Sequence, residues 1–281
     1  MKKVLIIGSK GVIGRQLVKT CITKFGPNSL TLPIRSKNLW DVSNSKSVSE
    51  LIESSQPNLI FNLATSYEEK FSEAVAVNVV GSQNILESVY RLGLGARVIL
   101  IGSAAEYGDV SIDENPIPET RVLNPCSVYG MTKALQTNLA SFYAPLGVDV
   151  IVARLFNVSG RGLSDRLLLG SVEKQIKELR KLQRTSIKVG NLDSIRDYIT
   201  AEDAAKKLMN IASYGKTGEV YNVASGRGSK VIDIVKSVLE ENGLTETILS
   251  RVDHVNKSHS RQTKVIFADI RKYGRLVRHD E

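Results

Sequence analysis

Two residues with acid–base chemistry, Tyr129 and Lys133, stand four positions apart in the segment Ser127-Val-Tyr-Gly-Met-Thr-Lys133. If this segment is helical, the spacing places the phenol and the ammonium on one face, one turn apart. A free tyrosine titrates near ~10, and a nearby positive charge favours the phenolate and lowers that pKa. The pair therefore predicts an acid–base device, although the same spacing also occurs on ordinary helices.

A glycine-rich turn near the N-terminus predicts a dinucleotide site. Val4–Ile7 is an apolar run typical of a strand buried on both faces, and a helical pattern begins at Arg15. Between them, Gly8 suits a tight turn, Gly11 a close approach of backbone to pyrophosphate, and Gly14 the packing of helix on strand. The N-terminus of the helix would present N–H groups to the phosphates. A glycine-rich turn in some other α/β protein is the plainer alternative.

The end of the second predicted strand indicates which coenzyme binds. Residues 30–34 are predicted to form that strand, and Arg35, Ser36 and Lys37 follow it. An acidic residue here would bind the adenosine ribose of NAD, whereas an arginine accommodates the 2′-phosphate of NADP. Arg35 and Ser36 therefore favour NADP(H), with NAD(H) as the second choice and an ordinary solvated loop as the alternative.

Composition favours a globular enzyme over a membrane or nucleic-acid-binding protein. The chain has 281 residues, enough for a large α/β domain with a smaller lobe. It has no long apolar run, and its first residues enter a strand directly, which leaves no room for a signal peptide. Cys21 and Cys126 lack metal or redox spacing, so we expect a cytoplasmic protein without a metal site. The net charge is +9, and the basic residues are scattered along the chain rather than clustered. This distribution suits the binding of small anions such as NADPH or a nucleotide sugar better than the binding of nucleic acid.

Strand and helix patterns alternate along the chain, which predicts βαβ units and a doubly wound parallel sheet. We expect a Rossmann-type domain over 1–160 and a smaller C-terminal substrate-binding lobe over 161–281, with about 187–213 returning to the first domain. The polar loop 108–125 is expected to run over the surface. Further strands are predicted at 58–62, 97–103 and 149–156, and helices at 45–55, 71–92, 127–143, 167–182, 202–212 and 231–241.

With the glycine turn, Tyr129 and Lys133 placed, and with Ser103 at the end of a predicted strand, the chain resembles the extended short-chain dehydrogenase/reductases. The resemblance spans nearly the whole length. Other matching stretches are Asp41-Val42, Asn62-Leu-Ala64 and Val77-Asn-Val-Val-Gly81. Within the superfamily, the chain is most similar to the GDP-4-keto-6-deoxy-D-mannose reductases, in the stretches 102–108, 189–198 and 219–228.

The resemblance implies that Ser103, Tyr129 and Lys133 form a catalytic triad. Tyr129 would give a proton to a ketone oxygen that gains charge during hydride transfer, and Ser103 would hydrogen-bond the same oxygen. Lys133 would lower the pKa of the tyrosine and hold the nicotinamide ribose. The coenzyme-binding residues would be Gly8, Lys10, Gly11, Val12, Ile13, Gly14, Arg35, Ser36, Asp41, Val42, Leu63, Ala64, Thr65, Asn78, Tyr129 and Lys133.

The resemblance also implies a site for a nucleotide-diphosphate sugar. Asn157 would contact the sugar nucleotide, and the guanidinium groups of Arg196 and Arg261 would meet the diphosphate. Arg166 is a weaker candidate. The full set of predicted substrate-binding residues is Ser103, Ala104, Glu106, Asn157, Lys174, Arg196 and Arg261. The helices at 71–92 and 127–143 would suit the four-helix homodimer interface usual in this superfamily.

Two neighbouring alanines argue against a dehydratase reaction as the activity that the resemblance implies, and so favour a reductase. Dehydratases of this superfamily follow the catalytic Ser or Thr with Asp-Glu, whereas Ala104-Ala105 stand here and cannot exchange a side-chain proton. Two further departures are Arg161, where the family usually has proline, and a C-terminal segment that ends soon after Gly274.

The sequence therefore predicts an NADPH-dependent reductase of a nucleotide-linked 4-keto-6-deoxyhexose, in deoxysugar or surface polysaccharide synthesis. The alternatives are a nucleotide-sugar 4-epimerase that retains NAD, and a non-catalytic dinucleotide-sensing protein.

Overall fold

The computed structural model of the chain describes residues 2–35, 40–251 and 264–277. Ser36 and Arg261, predicted to bind the coenzyme and the substrate, lie outside these residues. The strands are β1 (Val4–Ile7), β2 (Leu30–Thr31), β3 (Leu59–Asn62), β4 (Arg97–Ser103), β5 (Val150–Leu155), β6 (Asn157–Ser159), β7 (Ile187–Val189), β8 (Ile195–Arg196), β9 (Tyr198–Thr200), β10 (Val220–Val223), β11 (Ser229–Lys230), β12 (Leu249–Arg251) and β13 (Val265–Ile266). The helices are α1 (Val12–Phe25), α2 (Ser45–Ser55), α3 (Phe71–Val75), α4 (Gly81–Arg91), α5 (Val128–Tyr143), α6 (Leu168–Arg180), α7 (Ala201–Tyr214), α8 (Val231–Glu240) and α9 (Arg271–Val277), with a π-helical segment (Ala76–Val80) between α3 and α4.

A parallel sheet with the strand order β10-β5-β4-β3-β1-β2 forms the centre of the molecule. The register pairs Ile7 of β1 with Asn62 of β3, and Ser103 of β4 with Leu155 of β5. The carboxyl ends of these strands therefore lie along one edge, where ligands bind in open sheets of this kind. The prediction of a doubly wound α/β fold is confirmed.

Helices cover both faces of this sheet because the strand side chains alternate between them. Val4 and Ile6 of β1 pack into one apolar cluster with residues of α1 and α7, whereas Leu5 and Ile7 pack into another with residues of α2, α4 and α5. All four side chains are at most 1% exposed. Burying an aliphatic side chain of this size stabilises a fold by about 1.5–3 kcal/mol, so the two-sided burial holds the sheet edge in place.

The smaller lobe has its own apolar cluster, formed by residues of α6, β7 and α8. In it, β7 pairs with β12, while β8 pairs with β11 and β13 in a separate small sheet. The chain then returns to the large domain, where α7 packs against α1 and β10 pairs with β5. Within the segment 187–213, Ile187 and Val189 of β7 pack in the cluster of the lobe, whereas Ile199 of β9 packs in the cluster of the large domain. The domain boundaries stay a prediction.

Several local details differ from the sequence predictions. The strand β2 ends at Thr31 because Pro33 cannot donate an N–H to a ladder. The helix α1 begins at Val12 rather than Arg15. The strand β10 was not predicted, since this short segment becomes a strand by pairing with β5. The loop 108–125 is not wholly superficial, because Ile117 is fully buried and bridges to Ala268.

Cys21 is buried and Cys126 is exposed, and both thiols are unpaired. Across 2–35, 40–251 and 264–277, no helix combines the length and apolar character that crossing a bilayer requires.

Candidate active site

The glycine turn after β1 has the geometry that its sequence predicts. Gly8 has a positive φ of 84°, and a Cβ there would lie 3.0 Å from the carbonyl carbon of Leu63. A Cβ on Gly14 would lie 2.4 Å from the carbonyl oxygen of Gly8, so only glycine lets α1 approach the turn. Gly11 caps α1, and its N–H donates to the carbonyl of Gly8 at 3.0 Å.

Two cavities meet at this turn. The larger has a volume of about 670 Å³ and the smaller about 350 Å³. Gly8, Gly11, Leu63 and Thr65 line both of them. Because the glycine turn forms a shared wall, the two cavities together suit an elongated ligand whose middle part lies against the turn.

The N-terminus of α1 supplies donors at this junction. The N–H groups of Val12, Ile13 and Gly14 belong to the first helical turn, which has no carbonyl partners within its own helix. Within this described turn, no acidic side chain offsets the positive end of the helix dipole. All three residues line the larger cavity. This donor set fits the pyrophosphate of a dinucleotide.

The smaller cavity lies where the adenosine half of a dinucleotide would bind. Lys10, Arg35, Val42 and Ala64 line it, as predicted, and the side chain of Arg35 is 72% exposed. Arg35 Nε donates to Asp41 Oδ2 at 2.8 Å. The carboxylate of Asp41 is therefore engaged by this arginine, which stands at the rim of the cavity.

Hydrogen bonds fix the Asp41 carboxylate in place. The backbone N–H and the hydroxyl of Ser43 donate to Oδ1 at 2.9 and 2.7 Å. Partial burial opposes ionisation, but these hydrogen bonds and the nearby Arg35 hold the pKa of Asp41 below its ordinary value. Asp41 does not line either cavity, so the structure places it behind the predicted coenzyme residues, where it orients Arg35.

The structure does not bring Asn78 to either cavity, contrary to its predicted coenzyme-binding role. Its side-chain oxygen accepts from the N–H of Ser66 at 2.8 Å, and its amide donates to the carbonyl of Ser66 at 2.9 Å. The same amide donates to Thr132 Oγ1 at 2.9 Å. Because Asn78 is fully buried with these partners, it fastens the loop after β3 to α5.

The predicted triad converges on the larger cavity, which Ser103, Tyr129 and Lys133 all line. Ser103 ends β4, and Tyr129 lies in the first turn of α5. A Cβ on Gly130 would lie 2.5 Å from the carbonyl oxygen of Ala105. The missing side chain lets the start of α5 pack directly on the turn after β4, which brings the tyrosine beside the serine.

Tyr129 is held in its protonated form. Burial of its phenol and the neighbouring Tyr67 raise its pKa, while hydrogen bonds with Ser103 and Thr65 act in the opposite direction. The rings of Tyr67 and Tyr129 lie with centroids 4.7 Å apart. Burial is the largest cause of this shift, and the expectation that Lys133 lowers the pKa of the tyrosine stays a prediction.

Lys133 points along the cavity wall rather than at the phenol. Its Nζ donates to the carbonyl of Ile101 and to Gln136 Oε1, both at 2.9 Å, and lies 5.9 Å from the centre of the Tyr129 ring. Burial lowers the pKa of Lys133 to about 8, although the negative charge of Glu106 opposes this shift. The ammonium therefore loses its proton far more readily than that of an exposed lysine.

Glu106 lies beneath the site rather than in it, which corrects its predicted substrate-binding role. Its Oε1 accepts from the N–H of Ser103 at 2.7 Å. Its Oε2 accepts from Thr137 Oγ1 at 2.7 Å and from Arg154 Nε at 3.1 Å. Glu106 is fully buried and does not line either cavity, so it fixes the position of Ser103 from below.

The predicted substrate-binding residues divide into two groups. Ala104, Asn157 and Arg196 line the larger cavity, and Asn157 donates to the carbonyl of Asp197 at 3.2 Å. Lys174 and Arg166 are instead exposed and do not line it. Lys174 pairs with Asp165 and Arg166 pairs with Glu68, each at 2.8 Å. These ion pairs hold both side chains on the outer surface.

The cavities also have lining residues that the sequence analysis missed. Tyr67 follows the carboxyl end of β3, which was a recognisable signal for a site residue. Asn191 and Tyr198 lie in a stretch already quoted for the resemblance, where only Arg196 was selected. Trp40 precedes Asp41 and lines the smaller cavity, but the aromatic side chain alone gave no signal.

Fold and site together define a Rossmann-type extended short-chain dehydrogenase/reductase. The family described as GDP-mannose 4,6 dehydratase matches residues 35–277, and the chain belongs to this family. Among curated relatives, it is 27% identical to GDP-6-deoxy-D-mannose reductase of Pseudomonas aeruginosa over 242 residues, which cover 84% of this chain and 78% of that protein. It is 28% identical to GDP-6-deoxy-D-talose 4-dehydrogenase of Aggregatibacter actinomycetemcomitans over 244 residues, which cover 85% of this chain and 79% of that protein.

The fold is also that of known structures. The structure of RMD from Pseudomonas aeruginosa complexed with NADPH has a TM-score of 0.83 and 22% sequence identity, over 98% of this chain and 92% of that one. Further curated matches include nucleotide-sugar epimerases and dehydratases. Similarity therefore shows the family, but relatives within it catalyse different reactions, so the reaction of this chain depends on the residues of its own site.

We expect the cost of burying the Lys133 ammonium to depend on pH. Its folded pKa of about 8 is below the ordinary value of 10.5, so the unfolded chain binds more protons between these values and stability rises with pH. Relative to Lys133→Met, the unmodified chain should gain roughly 2–3 kcal/mol of unfolding free energy across this range. Urea unfolding of both proteins measures the difference.

The matched control for this measurement is Lys46→Met, whose ammonium is exposed on α2. Its effect should be the same at both ends of the pH range. If the Lys133→Met difference were equally constant, the lowered pKa of Lys133 would be contradicted.

Proposed function

We propose that the chain is an NADPH-dependent reductase of the 4-keto group of a nucleotide-diphosphate-linked 4-keto-6-deoxyhexose. The observation that carries this proposal is the convergence of Ser103, Tyr129 and Lys133 on a cavity that continues past a dinucleotide-type glycine turn. The names of two relatives, GDP-6-deoxy-D-mannose reductase and GDP-6-deoxy-D-talose 4-dehydrogenase, support a redox reaction on a nucleotide-linked deoxysugar. Such a product would serve deoxysugar and surface polysaccharide synthesis.

The residues of the site suit the proton transfer that accompanies ketone reduction. Bound NADPH would supply the hydride. Tyr129 keeps its proton at neutral pH because burial raises its pKa, so it can donate that proton to a ketone oxygen. Ser103 interacts with the tyrosine hydroxyl and can donate a hydrogen bond to the same oxygen as negative charge develops.

Two features separate this proposal from dehydration. A dehydratase needs an acid and a base that remove water across the sugar ring, and Ala104 and Ala105 line the cavity where such side chains would stand. Glu106 cannot take over this role because three protein donors occupy its buried carboxylate. The family name therefore does not decide the reaction of this chain.

The residues at the smaller cavity, where the coenzyme would bind, support a reductase over an epimerase. A 4-epimerase retains NAD and returns the hydride to the same sugar, whereas a reductase exchanges its coenzyme after each turnover. Arg35 at the rim of the smaller cavity suits the 2′-phosphate of NADP(H), with NAD(H) as a weaker ligand. The P. aeruginosa structure with NADPH supports the same choice. A dinucleotide sensor that has lost catalysis is disfavoured because the triad is present.

We also propose a homodimer formed through α4 and α5. Tyr90 on α4 and Phe142 on α5 are 48% and 62% exposed. Both rings contact Tyr143, at centroid distances of 6.5 and 5.2 Å, so they belong to one aromatic surface. Exposed aromatic residues at adjacent positions are typical of protein interfaces.

Removing the proposed proton donor should abolish most turnover. With a GDP-linked 4-keto-6-deoxyhexose, Tyr129→Phe should lower kcat by roughly 10²–10⁴-fold, because this is the usual contribution of general acid catalysis. NADPH binding should stay within about threefold, since the ring remains. Tyr214→Phe is the matched control, since Tyr214 is an exposed tyrosine at the end of α7 and lines neither cavity. Full activity of Tyr129→Phe would exclude the proposed chemistry.

The coenzyme preference should depend on Arg35. Arg35→Gln should weaken NADPH binding by about tenfold, which is the loss of one charge-assisted hydrogen bond at an exposed site. NADH binding should be unchanged because NADH has no 2′-phosphate. Calorimetric titration measures both, with Arg91→Gln at the end of α4 as control. Equal losses for the two coenzymes would contradict a 2′-phosphate contact.

The proposed dimer should be sensitive to charge at Phe142. Phe142→Glu places a carboxylate in the aromatic surface, and its desolvation should shift the protein towards monomer. Sedimentation velocity measures the distribution at equal concentrations. Leu182→Glu is the control, since Leu182 is 92% exposed and lies in the other lobe. If the unmodified protein were monomeric, the dimer proposal would be wrong while the proposed reaction would stand.

A further inference from the structure

We infer that Gln136 is a positioning residue that holds the Lys133 ammonium at the cavity wall. This inference rests on the proposed role of Lys133 in the reductase. Gln136 follows Lys133 by three residues on α5, which places both side chains on one face of the helix. Gln136 is fully buried and does not line either cavity, so it acts on the reaction through the lysine.

The chemistry of the two groups fixes how the amide is oriented. An ammonium has three donors and no acceptor, so only the oxygen of the amide can face it. Gln136 Oε1 accepts from Lys133 Nζ at 2.9 Å, and the carbonyl of Ile101 accepts from the same nitrogen at 2.9 Å. Two of the three donors of the lysine are therefore committed to the protein. One remains for a hydroxyl of a ligand in the cavity.

The amide nitrogen of Gln136 indicates that the contact with Lys133, rather than packing, explains this side chain. Gln136 Nε2 is buried and has no hydrogen-bond partner in 2–35, 40–251 and 264–277. An unsatisfied buried donor costs about 1–3 kcal/mol, a cost that an apolar side chain of similar shape would avoid. A packing role alone would be served better by methionine. The side chain is explained by what its oxygen does for Lys133.

Because the amide of Gln136 is neutral, the charged groups that influence the protonation of Lys133 are other residues. From the turn after β4, Glu106 faces the lysine, and its carboxylate is itself bound to Arg154 and Thr137. A further titratable neighbour among the described residues is Tyr129 of the same helix, with Tyr67 beyond it. A carboxylate in place of Gln136 would form a direct ion pair with the ammonium and hold its proton. The amide fixes the position of the amine without doing this.

The experiment compares Gln136→Glu and Gln136→Met with Asn138→Asp. The first variant adds a charge beside Lys133, the second removes the acceptor with little change in shape, and the third adds the same charge on the exposed face of α5. The pKa of Lys133 is followed by NMR of the chain labelled with ¹⁵N at lysine Nζ, with Lys133→Arg to assign the signal. This measurement needs neither coenzyme nor sugar, so it reports on Gln136 even if the reductase proposal fails.

Gln136→Glu should raise the pKa of Lys133 by about 1–3 units, as an opposite charge in direct contact does, and Asn138→Asp should leave it unchanged. Gln136→Met should lower it, because the ammonium loses one acceptor. In assays of NADPH oxidation, the alkaline limb of the pH–rate profile should move in the same directions. A Lys133 pKa that is the same in all three variants would overturn the inference. If Gln136→Glu fails to fold, an unchanged pKa in Gln136→Met is sufficient to overturn it.

Discussion

The buried ion pair between Glu106 and Arg154 is the interaction on which the geometry of the site depends. The two side chains are 0% and 2% exposed, with Nε and Oε2 3.1 Å apart. Arg154 Nη1 also donates to the hydroxyl of Tyr107 at 3.0 Å, and this hydroxyl donates to Asn222 Oδ1 at 2.7 Å. The pair thus links β4, β5 and β10 at the edge where the ligand cavities open. Removing one partner of such a pair typically costs about 3–5 kcal/mol, because the other charge stays buried without compensation.

The same carboxylate connects the sheet to the catalytic helix. Glu106 accepts from the N–H of Ser103 and from Thr137 of α5, so the serine and the helix that carries Tyr129 and Lys133 are held by one side chain. The close contact of Gly130 with the turn after β4 adds a steric constraint in the same place. The positions of the site residues are therefore fixed by a buried group that does not line the cavities.

The features that could be predicted from the sequence are those that depend on neighbouring residues in the chain. The glycine turn and the alternation of strands and helices depend on residue type and spacing, and both were found. The spacing of Tyr129 and Lys133 was found in the same way, whereas Ser103 joined them through the family resemblance, and all three line one cavity. The roles of Glu106, in the turn after β4, and of Asn78, in the π-helical segment, were not predictable, because a polar residue gives no sign of whether a partner from a distant element will bury it. Lys174 was selected through the family resemblance, and the structure places it on the surface in an ion pair with Asp165.

The fate of the hydride tests the central claim most directly. A stoichiometric amount of NADPH that carries deuterium at both hydrogens of C4 is mixed with the protein and a GDP-linked 4-keto-6-deoxyhexose, and the product is examined by NMR and mass spectrometry. A reductase should place deuterium on C4 of the sugar and release NADP⁺ in equal amount. A sugar product without deuterium, or retention of all label in the coenzyme while the sugar epimerises, would contradict the account.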